Sequence, residues 1–524
     1  MNHQHHNVAE YLLDGKENAG QALLTLRGNH SYRALRSASD DIAAYLVRAG
    51  GLQGNRAILV SDNSFFWVAA YLGILRAGLI AVPLPPTISQ SEYEYIVSTT
   101  EARFGFLQTG FAARRDHLLS ADRIVVDGAL SQEGGTTFTV SLAKLRGEMA
   151  NGHTDLPHVR KSDLAALMFT SGSTGKPRGV MVSHANIMAN TDSIIQCLGL
   201  TEKDRMMTVL PFHYCFGTSL LHTHLRVGGT LVLDHRFMYP EKVLERMQET
   251  ECTGFAGVPS HFQILVRKTS LRKKSFPHLR YVQQAGGYLA PVFVRELREA
   301  LPTTRVYVMY GQTEATARLS YLPPEFLDTK LGSVGKGIPG VKLSVLTEDG
   351  REAGAGETGE IVAEGENITQ GYWRDPEESA ASYRGVKLYT GDQAIVDGDG
   401  FLYIVGRNRD FLKCAGKRIG CKQLEQQLLE FEGLLEAAVL GVPDDVKGEA
   451  VRAFVVPRPG CDGVEERLRV FCKERLPFEL VPREIITLPA LPKNHAGKVM
   501  KEELRAIGET ALHTTGAAKV HDIG

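Results

Sequence analysis

Along the chain, short apolar runs alternate with segments whose apolar residues return every three or four positions. RAILVS (56–61), LIAVPL (79–84), FGFLQ (104–108), TLVLD (230–234) and RVYVMYG (305–311) predict strands. Between such runs, YPEKVLERMQ puts Pro240 in a first helical turn and repeats Val243, Leu244 and Met247. APVFVRELREAL opens on Pro291 and repeats Phe293, Leu297 and Leu301. Strands and helices in alternation predict parallel sheets covered by helices. The most apolar stretch, FFWVAAYLGILRAGLIAVPLPP from Phe65 to Pro86, is cut by Arg76 and closes on three prolines. It predicts a buried helix running into a strand, not a membrane span.

After about residue 330 the pattern becomes glycine-punctuated β: VKLSVLTEDGREA, TGEIVAEG, GFLYIVGR. Asp-Gly pairs at 349–350 and 399–400 predict hairpin turns. Beyond Arg407, helical runs (KQLEQQLLE, VEERLRVFCKERL) and strand runs (AAVLGV, AFVVPR) suffice for a separate small domain. The expected fold class is therefore α/β. A large N-terminal domain of parallel helix-covered sheets plus a β-rich subdomain spans 1–406, and a hinge occupies 407–410. A small mobile α+β domain follows over 411–507, then a flexible tail over 508–524.

Composition narrows the class of function. With 59 basic and 60 acidic residues among 524, the net charge of −1 offers no global field for nucleic acid or anionic lipid, so any anion is held locally. Seven scattered cysteines without a C-x-x-C pair argue against a disulfide framework or a zinc ribbon and fit a reducing cytoplasm. The N-terminal residues show no signal-peptide pattern, and His3, His5 and His6 read as a frayed terminus.

The phosphate-binding chemistry concentrates in TSGSTGKPRG, Thr170 to Gly179, between the apolar run LAALMF and a helix that Ser183 is placed to cap. A Walker loop needs Gly where Thr170 stands and Ser or Thr where Pro177 stands. Pro177 also lacks the N–H with which a P-loop helix would begin. Thr170, Ser171, Gly172, Ser173, Thr174, Gly175 and Lys176 can still wrap a phosphate with N–H groups, hydroxyls and one ammonium.

Together with YGQTEAT (310–316), YTGD (389–392), GRNRDFLKCAGKRI (406–419) and PKNHAGKVMK (492–501), this loop resembles the signature of the adenylate-forming superfamily. That superfamily comprises acyl- and aryl-CoA synthetases, nonribosomal peptide adenylation domains and firefly luciferase. The resemblance runs from about residue 20 to 505 and implies a two-step reaction: an acid attacks the α-phosphate of ATP, expelling pyrophosphate, and a thiol then displaces AMP. It implies that Lys498 lies between the substrate carboxylate and the α-phosphate, where negative charge accumulates. Thr313 would hydrogen-bond the α-phosphate, and Glu314 would hold Mg2+. Asp392 and Arg407 would reach the ribose, while Gly287, Tyr288 and Tyr310 would flank the adenine. Arg409 stands at the hinge, where the family more often carries Asp. Gly416 would lie beside the pantetheine arm of CoA or of a carrier protein, with Cys414 and Cys421 as bystanders.

The same resemblance places the acid pocket at PFHYCFGTSLL (211–221), FAGVPSHF (255–262) and QAGGYL (284–289). Tyr214 gates it, and Cys215, Phe216, Phe255, Gly257, Gly286 and Gln312 wall it. No carboxylate lies between Leu210 and Leu221 to pair with an α-ammonium, which argues against amino acids. An acyl chain is the first expectation and an aromatic acid the second; luciferase-type oxidation ranks lower. The expected partners are a small acid and an acyl carrier protein, with no nucleic acid and no membrane span.

Overall fold

The computed structural model describes residues 5–113, 123–128, 138–149, 154–170, 176–407, 411–414, 417–444, 448–493 and 499–517. The alternation seen in the sequence forms two large sheets. One has seven strands in the order Phe138–Ser141, Arg123–Val126, Phe104–Leu107, Arg56–Val60, Ile80–Leu84, Leu164–Thr170, Arg178–Ser183. Its neighbours run parallel except the last pair, which is antiparallel. The nine-stranded sheet has a parallel centre, Arg305–Tyr310, Tyr281–Gln284, Gly254–Gly257, Arg205–Thr208, Thr230–Leu233 and Gln21–Leu24, with antiparallel pairs at both edges.

The helices cover these sheets as their periodicity predicts. Pro240–Glu249 buries Val243, Leu244 and Met247, and Pro291–Ala300 buries Phe293, Val294 and Leu297. Phe65–Arg76 is apolar all round and is accordingly buried from Phe66 to Leu75. The Ser64 hydroxyl accepts from the Trp67 N–H at its start. The strand that follows carries Pro83 in its interior. It pairs with Arg56–Val60 along five residues but meets Leu164–Thr170 only at Ala81 and Ala166, so the missing N–H falls where that ladder is already open.

Lys342–Leu346, Thr358–Glu364, Tyr383–Arg384, Lys387–Val396 and Leu402–Arg407 form the β-rich subdomain. Both Asp-Gly turns are present: Gly350 (φ 85°) donates to the Thr347 carbonyl at 2.9 Å and Gly400 (φ 81°) to that of Asp397 at 3.0 Å. The small domain combines a five-stranded sheet with the helices Cys421–Leu429 and Val464–Arg475. It rests on Pro259–Lys268 and Pro291–Ala300. Arg267 donates to the Leu434 carbonyl and pairs with Glu296, Arg458 lies 3.6 Å from Glu296, and Arg295 lies 3.1 Å from Glu430.

One expectation is corrected. The chain from Gly508 does not begin as a tail, because the helix Lys501–Ala517 continues through it. Gly508 packs so closely on Arg452 that a Cβ there would come within 2.5 Å of its guanidinium.

Two histidines buried in the large domain make stability depend on pH. His184 accepts from the Val8 N–H at 3.0 Å, and His222 is hydrogen-bonded to the Tyr71 hydroxyl at 3.0 Å. Burial pushes their imidazoles down to about 4 and about 3. The unfolded chain takes up these protons near its ordinary value while the folded chain does not. The stabilisation is therefore complete above about pH 6.5 and is lost on acidification towards pH 4, by at most about 1.4 kcal/mol per pH unit per histidine. Thermal unfolding between pH 7 and 4.5 should show Tm falling over this window, and His222→Gln should make the fall shallower. An unchanged slope would refute the assignment.

Candidate active site

The segment expected to bind phosphate joins two strands. Leu164–Thr170 and Arg178–Ser183 are antiparallel, with Thr170 opposite Arg178 at the base. A further strand, not a helix, thus follows the loop, as Pro177 indicated. The helix His184–Leu198 begins only afterwards, where the Ser183 hydroxyl accepts from the Asn186 N–H and the Asn186 side chain reciprocates. Ser171, Gly172, Ser173, Thr174 and Gly175 lie outside the described residues. Lys176 is exposed, with its ammonium 5.9 Å from the centre of the Tyr95 ring. Arg178, in the same motif, is held by Glu378 at 2.8 Å and Asp375 at 3.4 Å, which makes it an anchor of the hairpin.

The YGQTEAT segment leaves the end of Arg305–Tyr310 and doubles back. Gly311 permits this, since a Cβ there would sit 2.0 Å from the Ala317 carbonyl oxygen. Thr313–Ala315 form one 3-10 turn, and Thr316 takes a positive φ (66°) with its hydroxyl donating to the Asn367 carbonyl. The Glu314 carboxylate thereby faces Tyr372, whose hydroxyl donates to Oε1 at 2.8 Å. Oε2 has no partner among the described residues. A single hard oxygen on an anchored carboxylate fits a magnesium ion, which usually meets the protein through one or two carboxylates and otherwise through phosphate and water.

Asp392 and Arg407 face each other across Lys387–Val396 and Leu402–Arg407. The buried Asp392 carboxylate accepts from Arg407 Nε at 3.0 Å on one oxygen and from the Tyr310 hydroxyl at 2.8 Å on the other. These contacts fix the carboxylate and leave further lone pairs for a diol. The Asp392 charge, and secondarily Glu314, holds the Arg407 guanidinium firmly charged. Burial together with the Asp392 charge pushes the Tyr310 phenol far above its ordinary range, so it stays protonated and donates to Asp392. Gly287 accepts through its carbonyl from Gln284 Nε2 at 2.7 Å. Gly287 and Tyr288 line a small cavity with Leu289, Val308 and Gly332.

The Thr313 hydroxyl donates to Cys215 Sγ at 3.4 Å and so ties the YGQTEAT turn to the segment expected to line the acid pocket. Cys215 opens the helix Cys215–Val227, and Tyr214 is its N-cap. Burial raises the Tyr214 phenol, so it stays neutral. Gly286 (φ 81°) stands between Val258 and Phe216, and Gln312 is extended beside Thr313. Two residues expected in the pocket's wall are not on it. Phe255 packs edge-on against Phe262 at 5.7 Å, and Gly257 lies against His261 and Phe262, both on the helix Pro259–Lys268. Successive strand residues face opposite sides, so Ala256 and Val258 share the Phe216 face.

Lys498, Arg409 and Gly416 also lie outside the described residues. Val499, next to Lys498, pairs with Lys493. Lys493 in turn helps burial bring the His261 imidazole down to about 4. Sequence reasoning missed Tyr372, Asn367 and Arg318. Tyr372 and Asn367 lie in a stretch without a motif. Arg318 stands two positions after YGQTEAT, a signal that was available.

Family models describe the same two parts. The AMP-binding enzyme model matches residues 16–373, and the model of the AMP-binding enzyme C-terminal domain matches 423–498. The chain therefore belongs to the AMP-binding enzymes, the adenylate-forming superfamily. It is 30% identical over 479 residues to a 3-[(3aS,4S,7aS)-7a-methyl-1,5-dioxo-octahydro-1H-inden-4-yl]propanoyl:CoA ligase of Rhodococcus jostii, covering 89% of this chain and 91% of that one. It is 28% identical over 504 residues to a long-chain-fatty-acid–CoA ligase of Salmonella typhimurium (91% and 89%). Among solved structures it resembles the o-succinylbenzoate coenzyme A synthetase of Bacillus subtilis in complex with ATP and magnesium ion, with a TM-score of 0.81, 26% identity and coverage of 96% and 99%.

Removing the Tyr372 hydroxyl should loosen the Glu314 carboxylate and little else. Tyr372→Phe should lower kcat/KM for MgATP about tenfold, the worth of a hydrogen bond to a charged group, and raise the magnesium concentration needed for half-maximal rate. A magnesium dependence identical to that of the wild type would show that Tyr372 does not position Glu314.

Proposed function

We propose that the protein is an acid–thiol ligase that forms AMP. It joins a carboxylic acid without an α-amino group to ATP as an acyl-adenylate, then passes the acyl group to the thiol of CoA. The observation that carries this reading is the junction at Thr313. The Glu314–Tyr372 and Tyr310–Asp392–Arg407 groups, suited to magnesium phosphate and ribose, meet the wall of the acid pocket at Cys215. The relatives' activities towards CoA support the thiol step.

In this reading the Asp392 carboxylate accepts from the ribose hydroxyls and Arg407 holds it in place. Tyr310 lies against the adenine. Thr313 donates to the α-phosphate, beside the carboxylate that attacks it. Magnesium, held by Glu314, would neutralise phosphate oxygens, and the loop from Thr170 to Lys176 would steady the departing pyrophosphate. Lys498 brings a positive charge to the two anions that must meet. Its withdrawal, by rotation about 407–410, would admit the thiol past Gly416. The segment Leu210–Leu221 has no carboxylate for an ammonium, and Phe216 offers an apolar face. An acyl chain is the first reading for the acid and an aromatic ring the second. A carrier protein's phosphopantetheine would present the same thiol as CoA.

Exchange of labelled pyrophosphate into ATP, dependent on acid and magnesium, tests the first step directly. The expected result is exchange with at least one acid among C4 to C16 aliphatic acids and benzoates; none across that range would count heavily against the reading. Lys498→Ala should lose exchange by at least about 100-fold, yet still convert supplied acyl-adenylate and CoA to product. An unimpaired first step would refute the role given to Lys498.

A further inference from the structure

Arg318 is among the largest fully buried side chains of the protein, 1% exposed, and its charge is unmatched. Its backbone is clamped from both sides. Its N–H donates to Asn190 Oδ1 at 3.3 Å, and its carbonyl accepts from Asn190 Nδ2 at 3.0 Å and Asn367 Nδ2 at 2.9 Å. The side chain is therefore delivered to a set place, with its guanidinium 3.8 Å from the centre of the Phe216 ring. Among the described residues Nε and Nη2 have no hydrogen-bond partner, and Nη1 reaches the Ala317 carbonyl at 3.5 Å. No carboxylate among the described residues forms an ion pair with it.

A buried cation without a counter-charge is one of the costliest arrangements in a protein interior. Stacking on an aromatic face offsets part of that cost but satisfies none of the in-plane N–H donors. Burial lowers the Arg318 guanidinium to about 10, so it is still a cation at neutral pH. The ATP phosphates are not its natural partner. Arg407 is paired with Asp392, whereas Arg318 stacks on Phe216, in the helix that Cys215 opens. Phe216 carries the guanidinium on its ring and approaches Gly286, so Arg318 belongs to the pocket's wall. The neighbouring cavity, between Cys215, Ser219, His222 and Ala317, has a volume of about 20 Å³. That is room for about one water molecule.

We infer that Arg318 sets specificity by pairing with a second carboxylate of the acid substrate, the first being the one adenylated, so that the preferred substrates are short dicarboxylic acids whose spacer lies along Phe216. This rests on the acid-activating reading above. A planar fork of donors matches a carboxylate bidentately, and the incoming charge supplies what the folded chain lacks.

The test compares acid-dependent pyrophosphate exchange by the full-length enzyme for monocarboxylic and dicarboxylic acids of equal length, C4 to C8. Wild type should favour a dicarboxylic acid by about 10,000-fold in kcat/KM, the scale on which a site built to hydrogen-bond a polar group rejects an analogue lacking it. Arg318→Met should abolish that preference while retaining exchange with the monocarboxylic acid, and Arg318→Lys should restore part of it. If monocarboxylic acids alone support exchange in the wild type, the acid-activating reading stands and the assignment of Arg318 falls. An equal loss for both series in Arg318→Met with none recovered in Arg318→Lys would mark a structural role and also overturn it. Exchange with no acid in either series or among the wider panel would overturn both readings.

Discussion

The site depends on one strand pairing. Residues 370–373 run beside the hairpin that carries the phosphate loop: Met181 donates to the Gly371 carbonyl, Gln370 to that of Met181 and Trp373 to that of Gly179. The hydroxyl of Tyr372, in the same stretch, holds Glu314, and Thr369 binds the Glu314 backbone carbonyl through both its N–H and its hydroxyl. The loop suited to the phosphates and the carboxylate suited to magnesium are thus fixed to one piece of backbone. Backbone hydrogen bonds are directional, so this pairing sets their relative position more tightly than apolar packing would.

A second constraint is the buried charge of Asp392. Both of its oxygens are engaged, one by Tyr310 from the large parallel sheet and the other by Arg407 at the end of the β-rich subdomain. The residue that suits a ribose therefore also joins two sheets. Arg407 is the last described residue before the segment that separates the large and small domains. A nucleotide on Asp392 would thus lie beside the link to the small domain. The acid side follows a different logic. There the cation Arg318 has no counter-charge among the described residues and lies against Phe216, while Thr218 bonds to the Phe212 and Tyr214 carbonyls and Ser219 to that of Phe216.

Much of this was legible in the sequence. Periodicity located the strands and the amphipathic helices, because burial on one face imposes a period that composition alone cannot imitate. Motifs singled out the loop from Thr170, Glu314, Asp392 and Arg407 as candidates, since the chemistry proposed for them restricts which residues can stand there. Phe255 was misread because an aromatic residue in a pocket-lining strand looks the same whichever side it faces. Only the neighbouring helix, through Phe262, decides that. The helix continuing past Gly508 was missed for a similar reason: the local sequence is polar, and packing against Arg452 is what fixes it.

By itself the sequence determined the class of fold, the order of the domains and which residues could handle a nucleotide, because these follow from local periodicity and from residue types that the chemistry demands. The tertiary structure decided which of those groups meet and how each is held. It set the segment expected to bind phosphate between antiparallel strands, brought Tyr372 from 58 positions away to Glu314, and buried Arg318 against Phe216 with no carboxylate beside it among the described residues. Those outcomes depend on contacts between distant segments, whose free energy is not written in any short stretch of the chain.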